Sequence, residues 1–377
     1  MPPQVLPIER SAPPTIALVA NTAWNLWNFR RGIIEALLAE GHRVILLAPD
    51  GPARAALEAT GAQFIALQRL RRSGLNPLQD LALTRELAQH YRREGVAAVL
   101  HYTIKPVIFG SIAARRNGVR SINTLTGLGY TFLAGGATAW IVRHLYRWAL
   151  RGSTRVFFHN PDDRDLFLQA GLVTGEQAGV VPGSGVRVAD FPLVPYAQAA
   201  AGHFLFVGRL LADKGIREYV AAARLVRRER PDLVFDVLGP LDGENPTGIS
   251  AAELEGWIGE GVIRYAGATT DVRPHLARAA VVVLPSYREG CPRVLLEAGA
   301  TGRALIGADV AGVREVVLPG VNGWLVPARD AAALAAACLA AADPAADLPG
   351  LGVRSRELVL SVFAEERVIA HYREALA

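Results

Sequence analysis

Short apolar segments alternate with longer amphipathic segments along the chain, and this alternation constrains the fold more than any other feature. Strands are predicted at residues 16–20, 44–48, 63–67, 97–101, 121–124 and 156–159. Helices are predicted between them, for example at residues 30–40, 77–93 and 106–116. Strands that alternate with helices form a parallel sheet covered on both faces. The first half of the chain is therefore predicted to be a doubly wound α/β domain.

The alternation stops at residues 191–202, which are rich in proline and alanine, and then restarts. Strands are predicted at residues 203–207, 233–238, 262–265 and 280–284, and helices at residues 215–228, 293–301 and 331–342. We predict a first domain at residues 1–195, a second doubly wound domain at residues 196–359, and a helix within residues 360–377 that rejoins the first. Two such domains leave a cleft between the carboxyl ends of their sheets, where these folds bind ligands.

Cysteine content and hydropathy exclude several classes of protein. Only Cys291 and Cys338 occur, too few for a disulfide framework or a four-thiolate zinc site. No apolar run approaches the roughly 18–20 residues that span a bilayer. The first 14 residues contain Glu9 and several prolines where a signal peptide has a continuous apolar stretch. We therefore expect a cytoplasmic protein, soluble or peripheral on the inner face of the membrane.

Basic residues are concentrated in the first half of the chain, although the net charge is only +5. Arg143, Arg147 and Arg151 recur at four-residue spacing in one predicted helix, beside Trp140 and Trp148. Arginine stems next to interfacial aromatic residues suit an anionic lipid surface or a lipid-linked phosphate. An ordinary amphipathic helix whose arginines face water is the alternative. No nucleic-acid motif accompanies the charge, so nucleic acid is not a predicted partner.

Residues 206–215, Phe-Val-Gly-Arg-Leu-Leu-Ala-Asp-Lys-Gly, join a predicted strand to a predicted helix. Gly208 lets the backbone turn close to a ligand, and Arg209 and Lys214 then lie at the mouth of the cleft. A guanidinium fork and a compact ammonium near a helix start suit a diphosphate. A turn that carries a solvated arginine and lysine is the alternative.

A second segment, residues 284–298, reads Leu-Pro-Ser-Tyr-Arg-Glu-Gly-Cys-Pro-Arg-Val-Leu-Leu-Glu-Ala. Glu289 is predicted in a loop and Glu297 in the following helix, and Pro292 suits the first helical turn. A helix start can also stabilise a thiolate at Cys291, for which no partner base is apparent. Backbone amides at this helix start would point into the cleft and receive sugar hydroxyls or phosphate oxygens. These amides are those of Gly290, Cys291 and Arg293.

On these residues the chain resembles the retaining glycosyltransferases of the two-domain nucleotide-sugar fold (GT-B), family 4 type, which carry a Glu-x7-Glu motif. Glu289 and Glu297 match that motif, and the phosphate loop is matched by Gly208, Arg209, Lys214 and Gly215. Segments at residues 72–77, 102–106 and 126–129 are similar to the bacterial subgroup that builds capsular, O-antigen and lipid-linked glycans.

The resemblance implies transfer of a hexose or N-acetylhexosamine from a UDP-sugar to a lipid-linked or growing polysaccharide acceptor, with no metal and no further cofactor. Arg209 and Lys214 would hold the donor diphosphate, Glu297 the ribose hydroxyls and Glu289 the donor sugar. The base would lie against residues 267–271. The implied donor site further includes Gly208, Gly239, Thr269, Gly290, Cys291, Pro292 and Arg293.

Two departures from the family pattern fall on the acceptor side. The first strand is followed by Asn-Thr-Ala-Trp-Asn, residues 21–25, where many members have a Gly-Gly pair, and Thr126 stands where many have a histidine. The acceptor candidates are Asn21, Trp24, Asn25, Lys105 and Thr126.

Asp162 and Asp163 follow Pro161 at a predicted helix start, where helix capping explains these two carboxylates better than a metal site.

The function stays open on the sequence alone. A nucleotide-sugar epimerase of the related fold, or a non-catalytic subunit of a glycan-assembly complex, are the alternative functions. The donor sugar, the acceptor, the linkage and the oligomeric state are not determined.

Overall fold

The structure, a computed structural model, describes residues 13–71, 76–128, 136–196 and 202–377, with the backbone alone at residues 136–138. Parts of the segments predicted at residues 72–77, 126–129 and 191–202 therefore lie outside the described residues, as does most of the N-terminal segment. Two parallel sheets organise the described chain and confirm the predicted pair of doubly wound domains. The boundaries at residues 195 and 359 stay a prediction.

The first sheet has seven parallel strands in the order β3-β2-β1-β4-β5-β6-β7. The strands are β1 (Thr15–Val19), β2 (Val44–Ala48), β3 (Gln63–Ala66), β4 (Val96–Tyr102), β5 (Arg120–Leu125), β6 (Arg155–Phe158) and β7 (Ala178–Val180). The helices described here are α1 (Ala23–Ala39), α2 (Arg54–Glu58), α3 (Pro77–Arg93), α4 (Ser111–Arg116), α5 (Gly136–Leu150) and α6 (Pro161–Gln169), with a π-helical turn at Pro106–Gly110.

The second sheet has six parallel strands in the order β10-β9-β8-β11-β12-β13. The strands are β8 (His203–Val207), β9 (Val234–Leu238), β10 (Arg264–Tyr265), β11 (Val281–Leu284), β12 (Ala304–Ala308) and β13 (Gly323–Val326). The helices are α7 (Ile216–Glu229), α8 (Ala251–Gly259), α9 (Arg273–Arg278), α10 (Arg293–Ala300), α11 (Ala331–Ala341), α12 (Leu348–Leu358) and α13 (Glu365–Leu376), with short turns at Val188–Asp190, Ala212–Lys214 and Val359–Phe363.

Both sheets reverse their strand order beside a central strand, β1 in the first and β8 in the second. Strand β2 is a fully buried apolar run, and strands β1 and β4 are buried except at Thr15 and Ala97, as expected for a sheet covered on both faces. The crevice outside the carboxyl ends of the strands at such a reversal is the usual ligand site of open α/β sheets. The loops that follow β1, β4, β8 and β11 are therefore positioned for function.

Helix α1 begins earlier than the predicted helix at residues 30–40. The side chain of Thr22 accepts a hydrogen bond from the amide of Asn25 at 3.0 Å and caps the helix, which starts at Ala23. Trp24 and Asn25 consequently lie in a first helical turn rather than in a loop. Helix α3 has the predicted bounds, because the Asn76 side chain caps it and Pro77 occupies its first position.

Helix α13 returns to the first sheet after the second is complete. Val368, Ile369 and Tyr372 are buried in the apolar core that also contains β1 and α1. The Tyr372 hydroxyl is hydrogen-bonded to Thr124 Oγ1 at 2.9 Å, and the amide of Val186 donates to the carbonyl of Phe363 at 2.9 Å. The chain thus runs twice between the two halves. No described helix is both long enough and apolar enough to span a bilayer.

Candidate functional site

The loop that follows β11 is held against the turn that follows β8. The Tyr287 amide donates to the Asp213 carbonyl at 2.9 Å, and the Ser286 hydroxyl donates to the same carbonyl at 3.1 Å. The Glu289 amide is bonded to the Ala311 carbonyl at 3.2 Å. These contacts bring the two segments singled out in the sequence to one edge of the second sheet.

Lys214 and Glu289, 75 residues apart in the chain, form an ion pair across these two loops. Lys214 Nζ lies 2.5 Å from Glu289 Oε1, and the glutamate side chain is only 11% exposed. An ammonium has three N–H groups, so two donors remain for an anionic ligand. The second carboxylate oxygen of Glu289 likewise remains available to accept from a hydroxyl.

Arg209 points to the same edge and is paired with Asp242. Arg209 Nη1 lies 2.7 Å from Asp242 Oδ2, with both groups partly exposed. An anion that bound the Arg209 guanidinium would therefore compete for it with the Asp242 carboxylate.

Gly208 and Gly239 bring two strand ends together. The Gly208 amide donates to the Leu238 carbonyl at 3.0 Å, and the Gly239 amide donates to Gly267 at 2.8 Å. Gly239 has a φ of +145°, and a Cβ there would overlap the Gly208 carbonyl oxygen. Only glycine fits at this position. Thr269 lies nearby in the exposed loop after β10, where its hydroxyl is bonded to Asp271.

Glu297 lies on α10 and is bound by Arg293 one turn earlier. Arg293 Nε donates to Glu297 Oε1 at 2.8 Å, while Arg293 Nη1 donates to the carbonyl of Asn28 on α1. Burial raises the pKa of Glu297, and the Arg293 charge and hydrogen bond offset part of that rise. Through its side chain Arg293 therefore connects Glu297 on α10 to Asn28 on α1 of the first half, a contact that the motif spacing does not predict.

Helix α10 begins at Arg293, so Pro292 is the residue that precedes the helix and not part of its first turn. Within the described part of the chain, the amides of Gly290, Cys291 and Arg293 have no backbone acceptor. Amides at a helix start are suited to anions and hydroxyl oxygens. Burial, and then the nearby Glu315 and Glu289 carboxylates, raise the pKa of the Cys291 thiol, which disfavours the thiolate that a helix start can stabilise.

The two halves meet at Gly290. A Cβ at this position would overlap the carbonyl oxygen of Thr126 in the first half. The carbonyl of Gly290 also accepts a hydrogen bond from Asn160 Nδ2 at 2.8 Å. The acceptor candidate Thr126 is thus placed directly against the Glu289–Gly290 loop.

The helix cap predicted at Asp162 and Asp163 is instead supplied by Asn160, and the two carboxylates pair with arginines of the second half. Asn160 is the residue that caps α6, because its side-chain oxygen accepts from the Asp163 amide at 2.8 Å. The buried Asp163 carboxylate is paired with Arg288 of the second half, and Asp162 Oδ2 lies 3.3 Å from Arg314. Burial raises the pKa of Asp163, while the Arg288 charge and the hydrogen bonds that Arg288 and Asn160 Nδ2 donate to the carboxylate act against this rise. Asparagine directly before Pro161 was the sequence signal for this cap.

Three of the five acceptor candidates line one cavity of about 230 Å³ in the first half, at the carboxyl ends of β1, β4 and β5. These candidates are Asn21, Lys105 and Thr126. We call this space the cleft cavity. Arg71 and Thr103 also line it and were not foreseen. Thr103 has a φ of +68°, which is strained for a β-branched residue and is a feature of functional sites.

Trp24 and Asn25 are not lining residues of the cleft cavity. Trp24 is 57% exposed and packs edge-on against Phe29. Asn25 is partly buried, and its Oδ1 has no hydrogen-bond partner in the described structure.

Helix α5 presents a mixed face at the surface. Trp140 and Trp148 are exposed, whereas Val142 and Tyr146 are buried against the sheet. Arg147 donates to the Ala170 carbonyl at 2.9 Å. Among the described residues, no group of three His, Cys, Asp or Glu side chains is arranged to hold a metal ion.

Two protein-family models match the chain. Residues 15–160 match a model described as "Glycosyl transferase 4-like", and residues 201–343 match one described as "Glycosyl transferases group 1". The first of these models covers strands β1 to β6 of the first sheet, and the second covers all six strands of the second sheet.

Among curated proteins, the chain is 25% identical over 333 residues to N,N'-diacetylbacillosaminyl-diphospho-undecaprenol alpha-1,3-N-acetylgalactosaminyltransferase of Campylobacter jejuni, covering 84% of this chain and 86% of that protein. It is 34% identical over 133 residues to D-inositol 3-phosphate glycosyltransferase of Pseudarthrobacter chlorophenolicus, which covers 34% of this chain and 32% of that one.

Solved structures share the fold over almost the whole chain. Sucrose-phosphate synthase from Thermosynechococcus elongatus superposes with a TM-score of 0.79 at 22% identity, covering 96% of this chain and 98% of that one. HepE from Anabaena, in complex with UDP and glucose, superposes with a TM-score of 0.77 at 18% identity, covering 96% and 99%.

Proposed function

The chain belongs to the glycosyltransferases of the two-domain GT-B fold, family 4 type, and from this premise we propose that it transfers a hexose or N-acetylhexosamine from a UDP-sugar, with retention, to a lipid-linked or growing polysaccharide acceptor. One observation carries the proposal: the Lys214–Glu289 ion pair lies at the cleft, beside the contact between Gly290 and Thr126. Cationic, acidic and acceptor-side groups therefore converge where two substrates would meet.

In this proposal the two free donors of Lys214 and the guanidinium of Arg209 bind the diphosphate. As the bond from the sugar to the diphosphate breaks, negative charge builds on the departing nucleotide, and these fixed cations stabilise it. In comparable electrostatic sites, one such donor is worth about 100- to 1,000-fold in rate. We expect the reaction to proceed in the presence of EDTA, because the protein itself supplies this positive charge.

Glu297 would accept from the ribose hydroxyls, and Glu289 would accept from a hydroxyl of the donor sugar while it positions Lys214. The amides of Gly290, Cys291 and Arg293, which have no backbone acceptor among the described residues, support the same assignment, since amides at a helix start are suited to hydroxyl or phosphate oxygens. The loop at residues 267–271 would contact the base.

A lipid-linked acceptor is supported by the Campylobacter jejuni relative, whose name specifies a diphospho-undecaprenol substrate. The cleft cavity, with Lys105 and Arg71 in its lining, would hold the end of that acceptor that carries phosphate and sugar. We further propose that the basic first half, with the exposed tryptophans of α5, associates with the anionic inner face of the cytoplasmic membrane.

The test is release of UDP from a panel of UDP-sugars, with and without a diphosphoprenyl-linked saccharide. We expect acceptor-dependent release and a product whose anomeric configuration, read by NMR, matches that of the donor sugar. Lys214→Ala should abolish most turnover, whereas the surface control Arg217→Ala should retain it. A changed free UDP-sugar formed without acceptor would indicate an epimerase. UDP binding without turnover of any donor would indicate a non-catalytic subunit.

A further inference from the structure

An apolar groove lies on the outer side of the first sheet, between α3, α4 and α5. Its volume is about 460 Å³, within the range of small-molecule sites. The apolar lining comes from Leu81, Phe109, Ile112, Ile141, Leu145 and Trp148. We call it the α3–α5 groove. It is separate from the donor-side residues, all of which lie in the second half of the chain.

Several side chains of this groove are unusually exposed for their size. Ile141 is 45% exposed, Trp148 is 49% exposed and Leu81 is 40% exposed. Single exposed apolar residues are common, but a contiguous set that forms a concave surface indicates a ligand or partner. The α3–α5 groove is therefore suited to an apolar ligand.

The groove shares a wall with the cleft cavity. Lys105 lines the cavity, Asp80 lines the groove, and Lys105 Nζ lies 2.9 Å from Asp80 Oδ1 with both side chains largely buried. Leu145 lines the groove while its neighbour Tyr146 lines the cavity. Because Lys105 neutralises Asp80, the groove presents no uncompensated negative charge from this carboxylate.

Basic groups lie at the groove and in the adjoining cavity. Arg116 lines the groove, and the Arg115 guanidinium lies 5.3 Å from the Trp148 ring centre and donates to the Trp148 carbonyl at 2.7 Å. Arg71 and Lys105 line the cavity. Lys105 is paired with Asp80 but keeps two further N–H donors, and Arg71 adds a positive charge to the same cavity. An apolar channel beside such a pocket is complementary to a molecule with a hydrocarbon chain and a phosphate head.

We propose that the α3–α5 groove binds the first units of the prenyl chain of the acceptor, with its diphosphate towards the Lys105 side. This inference rests on the proposed function, because it assigns the anchor of the acceptor named there. The protein would then recognise the prenyl chain of the acceptor directly, in addition to the saccharide and the membrane surface. The chain would enter beside Ile141 and Trp148, the exposed residues of α5.

The experiment measures binding of soluble probes to the full chain by calorimetry, without vesicles. The probes are inorganic diphosphate, isopentenyl diphosphate and farnesyl diphosphate below its micelle concentration. Each methylene buried is worth about fourfold in affinity. We expect farnesyl diphosphate to bind at least tenfold more tightly than isopentenyl diphosphate. Equal affinities for the two probes would overturn the proposal.

Two variants localise the effect to the groove. Ile141→Ser and Leu81→Ser each change an exposed side chain, so the fold should be retained, as thermal unfolding would verify. Each should reduce the preference for farnesyl diphosphate at least fivefold. Ile258→Ser on α8, a residue that is 42% exposed, is the matched control and should leave the preference unchanged. If both groove variants keep the full preference for farnesyl diphosphate over isopentenyl diphosphate, the α3–α5 groove is not the prenyl site.

Three further outcomes distinguish a prenyl site from a membrane contact and from a failure of the proposed function. If the groove variants lose only co-sedimentation with anionic vesicles and keep the chain-length preference, the groove is a membrane contact and the proposal fails. Wild-type protein that turns over UDP-sugar with a lipid-linked acceptor but shows no chain-length preference overturns the groove alone. Absence of UDP binding would instead refute the proposed function, and the probe comparison would still test the groove.

Discussion

Lys214 Nζ lies 2.5 Å from Glu289 Oε1, and this ion pair joins the turn after β8 to the loop after β11. Because one carboxylate oxygen and two ammonium donors remain unused, we expect the pair to act as a unit on the donor. Lys214→Ala should lower kcat about 100- to 1,000-fold.

The double variant Lys214→Ala, Glu289→Gln should be less impaired than the product of the two single effects. Residues in direct contact show coupling of about 0.5–3 kcal/mol. The measurement is kcat for UDP release in all four proteins, with thermal unfolding as a check on folding. Strictly multiplicative effects would show that the two side chains act independently.

If Arg209 binds the donor diphosphate as proposed, Asp242 competes with the diphosphate for the Arg209 guanidinium. The Arg209–Asp242 pair is partly exposed and is worth at most about 1 kcal/mol. Asp242→Asn should therefore tighten UDP binding by up to about fivefold, as calorimetry would measure. The matched control is Asp232→Asn, which removes the partner of Arg230 in another surface pair. Unchanged or weaker UDP binding by Asp242→Asn would contradict the assignment of Arg209 to the diphosphate.

Gly290→Ala places a methyl group on the carbonyl oxygen of Thr126. Either the two halves separate or the loop moves, so we expect transfer to fall at least tenfold. Small-angle scattering should report a larger radius of gyration if the halves separate. Gly256→Ala on α8, where a Cβ meets open space, is the control and should retain activity. Full activity of Gly290→Ala would mean that this contact is not needed for catalysis.

The affinity for UDP should depend on pH through the ionisation of the Glu297 carboxyl group. Burial raises the pKa of this carboxyl above the ordinary 4.5, and Arg293 offsets only part of the rise. As pH falls through that raised value, the Glu297 carboxylate gains a proton. It could then no longer accept hydrogen bonds from both ribose hydroxyls of bound UDP. UDP affinity should therefore decline on the acid side at a higher pH than an exposed glutamate would give.

Comparison with Glu297→Gln isolates this titration, because the phosphates of UDP titrate equally in both experiments. The ratio of wild-type to variant affinity should be constant near neutral pH and fall as pH is lowered. A ratio that does not change with pH would remove Glu297 from the binding site.

Local patterns determine much of the fold, which is why they could be read from the sequence. The strand at residues 203–207 and the helix at residues 77–93 have their predicted bounds, since apolar runs, Asn76 and Pro77 act on neighbouring residues. The start of α1 was misplaced because the polar Thr22 cap lies well before the first predicted helical position, Arg30. A single capping residue can shift the residue at which a helix begins without any change in the apolar pattern of the sequence.

The site was predictable as a set of residues but not as a set of contacts. The motif spacing indicates that Glu289 and Glu297 belong together, yet the pairing of Asp163 with Arg288 joins residues 125 apart and depends on how the two halves pack. The thiol of Cys291 shows the same limit: a helix start favours a thiolate, but burial and two nearby carboxylates outweigh it. Burial is a property of the assembled fold.

The paired backbone bonds between Val186 and the segment Phe363–Glu365 bind the two connecting segments to each other where the chain passes between its halves. A body attached by a single tether can swing in any direction, whereas one attached by two segments fastened side by side is restricted mainly to rotation about the line they define. Any rotation of one half against the other would then follow one preferred arc, and closure along that arc would bring Gly290 back against Thr126.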